Sequence, residues 1–488
     1  MIEAPPEKTS GVQVAPDVRP IFAHPELADP EYLRDLGSTK RLAELLSLDS
    51  GFRERFLEDP AGRARAAGLE LDVEALRPLW DPETAREWHR LHTAGQELPP
   101  MSLSIARYRS FLTEKLALRD QLRTGGVPAH PTMAAWRDRQ MRRCSSELGP
   151  HKEAGLVHAP VAFELAKGCS VGCWFCAVGA EKFAEHARYS ELGGMWKDVL
   201  LAVQEVIGDA ARQGFCYWAT EPLDNPDYEL FCTDFAHTFH RFPQTTTAIA
   251  SRDPDRTRRL MQLSRELGCE LNRFSILSLA LLRRILDAFT PEDLVYVELL
   301  PLNKEAGLVK AFAGRARRGK VPAGQSVAPE SAASTIACVS GFLFNMVDLS
   351  IRLVTPCNAC DRWENGYWVV DQATFRDGEG ARREMLRMID QHMSSHLDVR
   401  QPLRFRPDLR WEKGEEGPSL RSSWVRHRLT HLRGVETIGD LIDQGQRSAT
   451  EIAVELQQKA QISMPESMVI LGHLFQEGLL DLSPQELE

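Results

Sequence analysis

Cys169-Ser-Val-Gly-Cys173-Trp-Phe-Cys176 places three cysteines in one short stretch, directly after an apolar, strand-like run, Pro160-Val-Ala-Phe-Glu-Leu-Ala-Lys-Gly168. A loop folded back this tightly can aim three thiolates at one point. Iron–sulfur clusters are normally held by four cysteines, so three thiolates leave one iron open. An open coordination position marks a catalytic site rather than a structural one. Zinc sites usually pair two C-x₂-C knuckles or add histidines, and Cys357-Asn-Ala-Cys360 offers a second knuckle for a composite zinc site. Three buried spectator thiols are the plainest alternative. The spacing and the strand-to-loop position favour the cluster, with Cys169, Cys173 and Cys176 as its ligands.

Working outward, 488 residues suggest about two to three domains. The apolar fraction of 43% suits a globular chain with a sizeable core. Lys+Arg 59 against Asp+Glu 69 leaves a net charge of −10, which points away from nucleic acid and anionic membranes as partners. The start, Met1-Ile-Glu-Ala-Pro-Pro-Glu-Lys, has no apolar h-region, and no run approaches a membrane span. Ten cysteines in so long a chain read as reduced thiols with metal or redox duties, so a cytoplasmic location is expected.

Residues 1–28 are Pro-rich and aperiodic and read as a flexible arm. Residues 29–150 read as a helical N-terminal region, with Leu42, Leu45, Leu46, Phe52, Phe56 and Leu57 recurring at helical spacing. It ends in a basic segment, Trp136-Arg-Asp-Arg-Gln-Met-Arg-Arg143, for which a solvated helix face is the default and contact with an acidic peptide or a cofactor carboxylate the sharper alternative. Over 151–370 strands and helices alternate, the pattern of a parallel α/β sheet. Strands are expected near Val161–Leu165, Phe215–Trp218, Thr246–Ala250, Arg273–Leu277, Val295–Leu299 and Leu349–Thr355. Six such units make a partial (β/α)6 barrel, whose site would lie at the C-terminal strand ends, where the cysteine loop sits. Residues 371–420 read as a helix (Arg382–Leu397) and a linker (Gln401–Pro418). Residues 421–488 read as a small helical or winged-helix-like module with helices Thr437–Gln444, Ala449–Lys459 and Glu466–Glu477.

The cysteine spacing resembles the signature of the radical S-adenosylmethionine (SAM) superfamily, and Phe175 matches the aromatic residue that precedes the third cysteine there. The resemblance implies a [4Fe–4S] cluster whose unique iron is chelated by the amino and carboxylate groups of SAM. It also implies a turn that holds the SAM amino group. Ala219-Thr-Glu-Pro222 occupies that position with both glycines replaced, so the carry-over rests on Glu221 and Pro222. Arg273 and Ser275, in Asn272-Arg-Phe-Ser275, would meet the SAM carboxylate or ribose. Phe52-Arg-Glu-Arg-Phe-Leu-Glu-Asp-Pro60 with Ala67-Gly-Leu-Glu-Leu-Asp72 is similar to leader peptides of the nitrile-hydratase and Nif11-like classes, although a small helical cap explains it as well. The C-terminal module resembles winged-helix and PqqD-like domains that bind precursor-peptide leaders.

Further phrases, Tyr217-Trp-Ala-Thr-Glu-Pro-Leu-Asp-Asn-Pro-Asp-Tyr-Glu229, Pro243-Gln-Thr-Thr-Thr-Ala248, Thr335-Ile-Ala-Cys-Val-Ser-Gly-Phe342 and Asp361-Arg-Trp363, look like radical SAM amino-acid epimerases of ribosomal peptide maturation, the polytheonamide type. That likeness implies a precursor peptide (leader and core) as partner, and an electron donor such as flavodoxin or ferredoxin. It also implies a 5′-deoxyadenosyl radical that removes a Cα hydrogen, with a cysteine thiol returning one on the other face. The returning thiol cannot be a cluster ligand. Cys357 follows the run Leu349–Thr355 and is expected at the catalytic end of the last strand; Cys338, inside the apolar run Ile336–Val347, is the second candidate. Cys144, Cys216, Cys232 and Cys269 read as spectator thiols. The alternative within the same chemistry is thioether or carbon–carbon cross-linking. Those enzymes usually carry a cysteine-rich C-terminal domain, whereas only Cys338, Cys357 and Cys360 follow Cys269 here. A zinc-bearing peptide scaffold is the non-enzymatic alternative.

Overall fold

A computed structural model describes residues 17–22, 24, 28–124, 126–330, 332–415, 417–429 and 433–484. The chain divides into two compact units, one of residues 1–120 and 276–306, the other of 121–275 and 307–488. No helix among the described residues is long and apolar enough to cross a membrane.

The first unit is helical: α1 (Pro30–Leu48), α2 (Ser50–Glu58), α3 (Pro60–Ala66), α4 (Arg77–Trp80), α5 (Pro82–Thr93) and most of α6 (Leu103–Thr124). Aspartates start four of these helices: the side chains of Asp29, Asp49, Asp59 and Asp81 accept from backbone amides of the first turn, satisfying donors with no helical partner. The arm expected over 1–28 lies largely outside the described residues. Its described part does not stand free, because Ile21 is buried with Tyr32, Leu36 and Phe111.

In the second unit, α7 (Pro131–Leu148) and α8 (Pro150–Glu153) lead into β1 (Ala159–Glu164). All six residues of β1 are buried, as expected of a strand covered on both faces. There follow β2 (Ala166–Lys167), β3 (Glu185–His186), α9 (Tyr189–Ile207), α10 (Tyr228–Phe239), β4 (Thr246–Thr247), α11 (Pro254–Glu266) and β5 (Asn272–Ile276). Next in the chain, α12 (Leu279–Ala288) and β6 (Val297–Pro301) belong to the first unit, and α13 (Arg315–Arg318) returns to the second. β7 (Val339–Asn345), β8 (Ser350–Pro356), β9 (Tyr367–Thr374) and α14 (Gly378–His392) then complete a four-stranded sheet in the order β1-β7-β8-β9. β7 runs parallel to β1, with Glu164 opposite Asn345, while β8 and β9 are each antiparallel to the preceding strand. One face packs on α9, α10 and α14 through Phe163, Phe344, Trp196, Phe231 and Met385; Phe163 and Phe344 stack with ring centroids 5.2 Å apart.

Three expectations need correction. The described strands do not form one run of six parallel units. Phe215–Trp218 contributes a single parallel bridge, Phe215 to Ala162; and Leu349–Thr355 became the antiparallel β8. The apolar run of residues 336–347 supplies the strand between β1 and β8, a place that a run with no polar alternation does not announce. The basic segment is not a solvated face: Trp136, Arg137, Arg139, Gln140 and Arg143 are buried. Gln401–Pro418 is not all linker. It holds β10 (Arg410–Gly414) and the start of β11 (Gly417–Arg421), which with β12 (Arg426–Arg428) form an antiparallel sheet. This sheet and α15 (Val435–Gln444), α16 (Ala449–Ala460) and α17 (Met464–Gln476) share a core of Leu420, Ile438, Ile442, Ile452 and Leu471. Charged residues on the outward positions of β10 hid the strand, while its inward Trp411 packs on Phe405 and donates to Asp440.

The β1–β7 register shifts between Ala159 and Val161, and Gly341 lies opposite the shift at φ 157°. A Cβ there would sit 2.0 Å from Pro160 O, a backbone atom that cannot swing aside. Gly341→Ala is therefore expected to cost about 2 kcal/mol or more of stability, as backbone clashes in cores do; thermal unfolding, showing a lowered midpoint, checks it.

Candidate active site

The three cysteines lie on a loop closed at its base. β2 and β3 pair antiparallel, Ala166 with His186 and Lys167 with Glu185. Just beyond, Cys169 N–H donates to Glu181 O (2.9 Å) and Phe183 N–H to Cys169 O (3.2 Å). This closure needs Gly168, at φ +77°, because a Cβ would meet Lys182 O at 2.3 Å. Cys176 N–H turns back onto Cys173 O (3.2 Å). From the start of α13, Arg315 pins the loop: its N–H donates to Cys176 O (2.9 Å), and its guanidinium to Cys173 O (3.1 Å) and to Ala180 O.

All three thiols are partly exposed. Burial pushes Cys173 up to about 12, and neighbouring Cys176 and Cys169 push in the same direction. A positively charged centre bound among the three would reverse that cost, since a coordinated thiol is deprotonated outright. Ala180 N–H points at Cys176 Sγ (3.3 Å), the kind of hydrogen bond that tunes an iron–sulfur centre. Among the described residues, no three His, Cys, Asp or Glu side chains form a group that could hold a metal ion. Three thiols on one short loop are the donor set that would hold an iron–sulfur cluster.

Phe175 lies under Lys310, whose ammonium is 5.0 Å from the ring centroid. Lys310 is only 4% exposed and its Nζ has no hydrogen-bond acceptor, while burial lowers its pKa. An unpaired buried cation here is costly unless an anionic group joins it. On another side of the loop, a 490 Å³ cavity is lined by Glu164, Gly168, Gly179, Glu181, Asn345 and Arg352 among others. Glu164 ends β1 and is buried; its carboxylate accepts from Ala219 N–H (3.1 Å), Asn345 Nδ2 (3.1 Å) and Arg352 (3.1 Å).

The other expected residues fall in several places. Glu221 is 3% exposed and caps the 3-10 turn Pro222–Asp224 by accepting from Leu223 N–H; it also accepts from Thr247 Oγ1 and Ala248 N–H (2.9 Å). Its oxygens thus join the Pro222 turn to the end of β4. Arg273 and Ser275 alternate with buried neighbours and share one face of β5, and Thr246, opposite Arg273 in register, bonds Tyr217 Oη (2.7 Å).

The two candidate thiols lie at the same end of the sheet and differ in what they pack against. Because β8 is antiparallel to β7, the residue after it lies beside the N-terminal ends of β1 and β7, away from Glu164. Cys357 is therefore at the opposite sheet end from the one expected, an end it shares with Cys338, whose C=O accepts from Ala159 N–H at the start of β1; it is 1% exposed and against Arg143 and Cys144. Cys338, just before β7, packs on the sheet face that also gathers Tyr217, Trp218, Ala219 and, from the cysteine loop, Val178. Glu164, Lys310 and Arg315 were missed in the sequence. A lone carboxylate in the apolar Pro160–Leu165 run, and a lone lysine in Gly307-Leu-Val-Lys-Ala-Phe-Ala-Gly314, were the available signals.

Fold and site together define a mixed α/β protein with a three-thiol loop beyond its first strand. No family model matches the chain. The protein y4wI of Sinorhizobium fredii (strain NBRC 101917 / NGR234) is 39% identical over 462 residues, spanning 93% of this chain and 88% of that one. The chain belongs to the family of y4wI. Among solved structures, BtrN in complex with AdoMet and 2-DOIA matches 48% of this chain and 82% of its own, at 14% identity and a TM-score of 0.30, too slight a likeness to carry an argument.

Glu221→Gln puts an amide N–H₂ where one oxygen faces a donor, and a stability loss of about 1–3 kcal/mol is expected. Burial raises the Glu221 pKa to about 7, above its ordinary 4.5. Its titration contributes stability that is complete below 4.5 and lost as pH rises through 7. The deficit of the variant should therefore be larger near about pH 5 than near about pH 8 in denaturant titrations; a deficit that grows with pH would contradict this.

Proposed function

We propose that the chain is a radical SAM enzyme that inverts Cα configuration in a ribosomal precursor peptide. The observation that carries the reading is the closed loop presenting Cys169, Cys173 and Cys176 from the end of the first strand. These residues would hold a [4Fe–4S] cluster with SAM at the open iron, and the pair when bound supplies a carbon radical able to take a Cα hydrogen.

The rest of the work falls to the chain's own groups. Arg315 and the two backbone closures brace the loop that carries the three thiols. Lys310 holds its ammonium over the ring of Phe175, the residue before Cys176. Glu221 and Pro222 order a turn next to β4, and Arg273 and Ser275 present polar groups from one face of β5. Hydrogen return needs a neutral S–H, and burial raises Cys338 to about 11, which keeps it protonated at neutral pH. Its place on the face shared with Val178 and Tyr217 makes it the better donor, in place of Cys357. Giving up the hydrogen leaves a thiyl at Cys338 Sγ, and an external donor such as ferredoxin or flavodoxin must return one electron with a proton.

The test is reaction in deuterated water with a candidate ribosomal precursor peptide, read by mass spectrometry. Each D-residue should carry one deuterium at Cα. Cys338→Ala should still cleave SAM yet yield no D-residue, while Cys357→Ala should epimerise normally. A peptide lighter by two hydrogens per modification and free of deuterium would favour cross-linking instead.

A further inference from the structure

Apart from the cysteine loop, the second unit holds a 390 Å³ cavity walled by α7, β9, α14 and the end of the chain's C-terminal module. Its size is that of a small-molecule site. Trp136, Trp368, Val370 and Phe475 give it apolar walls. Its one strong charge is Arg139, 2% exposed and stacked on Phe475 with the guanidinium carbon 4.1 Å from the ring centroid. Arg139 gives one hydrogen bond, to Ser394 O (2.7 Å), and its Nε and Nη1 have no partner.

The neighbours make the omission specific. Arg143 on the same helix pairs with Glu147, and Arg142 pairs with Asp138 and Glu477. No carboxylate is among the described residues that line the cavity, and Asp371, which reaches the lining His392 Nε2 (2.8 Å), is also bonded to Arg387. Stacking on an aromatic ring compensates a cation only in part, and burying donors unsatisfied is costly. Burial lowers the Arg139 pKa to about 10, so the side chain remains charged.

We infer that this cavity binds a carboxylate carried on an apolar body, with its oxygens on Arg139 and its body between Trp368 and Phe475. Guanidinium and carboxylate match in a two-pronged contact, and two aromatic walls suit an apolar substituent. A free organic acid and a glutamate side chain within an apolar peptide segment share this chemistry. The inference is independent of the proposed reaction.

Saturation-transfer NMR on the full chain tests it with three probes: 3-phenylpropionate, its amide, and the blocked tripeptide acetyl-Leu-Glu-Phe-amide. At least one carboxylate probe should bind, the first arm marking a free acid and the third a peptide side chain, with the amide at least about tenfold weaker. Arg139→Gln should weaken the bound acid by about tenfold, and Val370→Trp, which fills the cavity but keeps Arg139, should exclude it. The acid–amide contrast needs no variant, so it stands if a substitution unfolds the chain. No binding by either acid, equal binding of acid and amide, or undiminished binding in a folded variant overturns the inference.

Discussion

The parallel pairing of β1 with β7 is the constraint from which the second unit's architecture follows. Parallel neighbours cannot be joined by a tight turn, and here the chain leaves β1 at Glu164 and returns at Val339. Everything between is a crossover, with the cysteine loop at its start. At the end where the loop emerges, the Glu164 carboxylate gathers donors from the Ala219 turn, from Asn345 of β7 and from Arg352 of β8. A buried carboxylate with partners on three elements holds the strand ends in one register, and losing any one partner would leave charge unsatisfied.

Close packing of backbone against backbone shapes the loop itself. Gly168 and Gly314 both lie at positive φ where a Cβ would strike a carbonyl, at Lys182 in one case and at Cys176 and Ala177 in the other. With Arg315 bonded to three loop carbonyls, the thiols are positioned by main chain rather than by side-chain packing. Lys310, buried and unpaired, adds positive charge beside Phe175.

Much of this was legible in the sequence where the signal is local. The helices at 435–444, 449–460 and 464–476 follow from apolar spacing and from caps such as Ser448 with Glu451. The cysteine loop follows from its spacing. What escaped depends on contacts distant in sequence. Nothing in Leu349–Thr355 tells whether it runs with or against its neighbour, and the antiparallel answer puts Cys357 at the N-terminal end of β7, where Cys338 also lies. The arginines of α7 read as solvated because charge is usually exposed; burial against β9 and α17 is a tertiary fact. The bonds of Glu221 to Thr247 and Ala248, far along the chain, are likewise not announced by its local sequence.

The central claim is that Cys169, Cys173 and Cys176 hold a cluster with one open iron. The direct measurement is iron and acid-labile sulfide content of the anaerobically reconstituted protein, with the electron paramagnetic resonance spectrum of its reduced form recorded before and after SAM is added. About four irons and four sulfides per chain are expected, with a spectrum that SAM alters. One zinc without sulfide, or a cluster that persists when all three cysteines are alanine, would contradict the account.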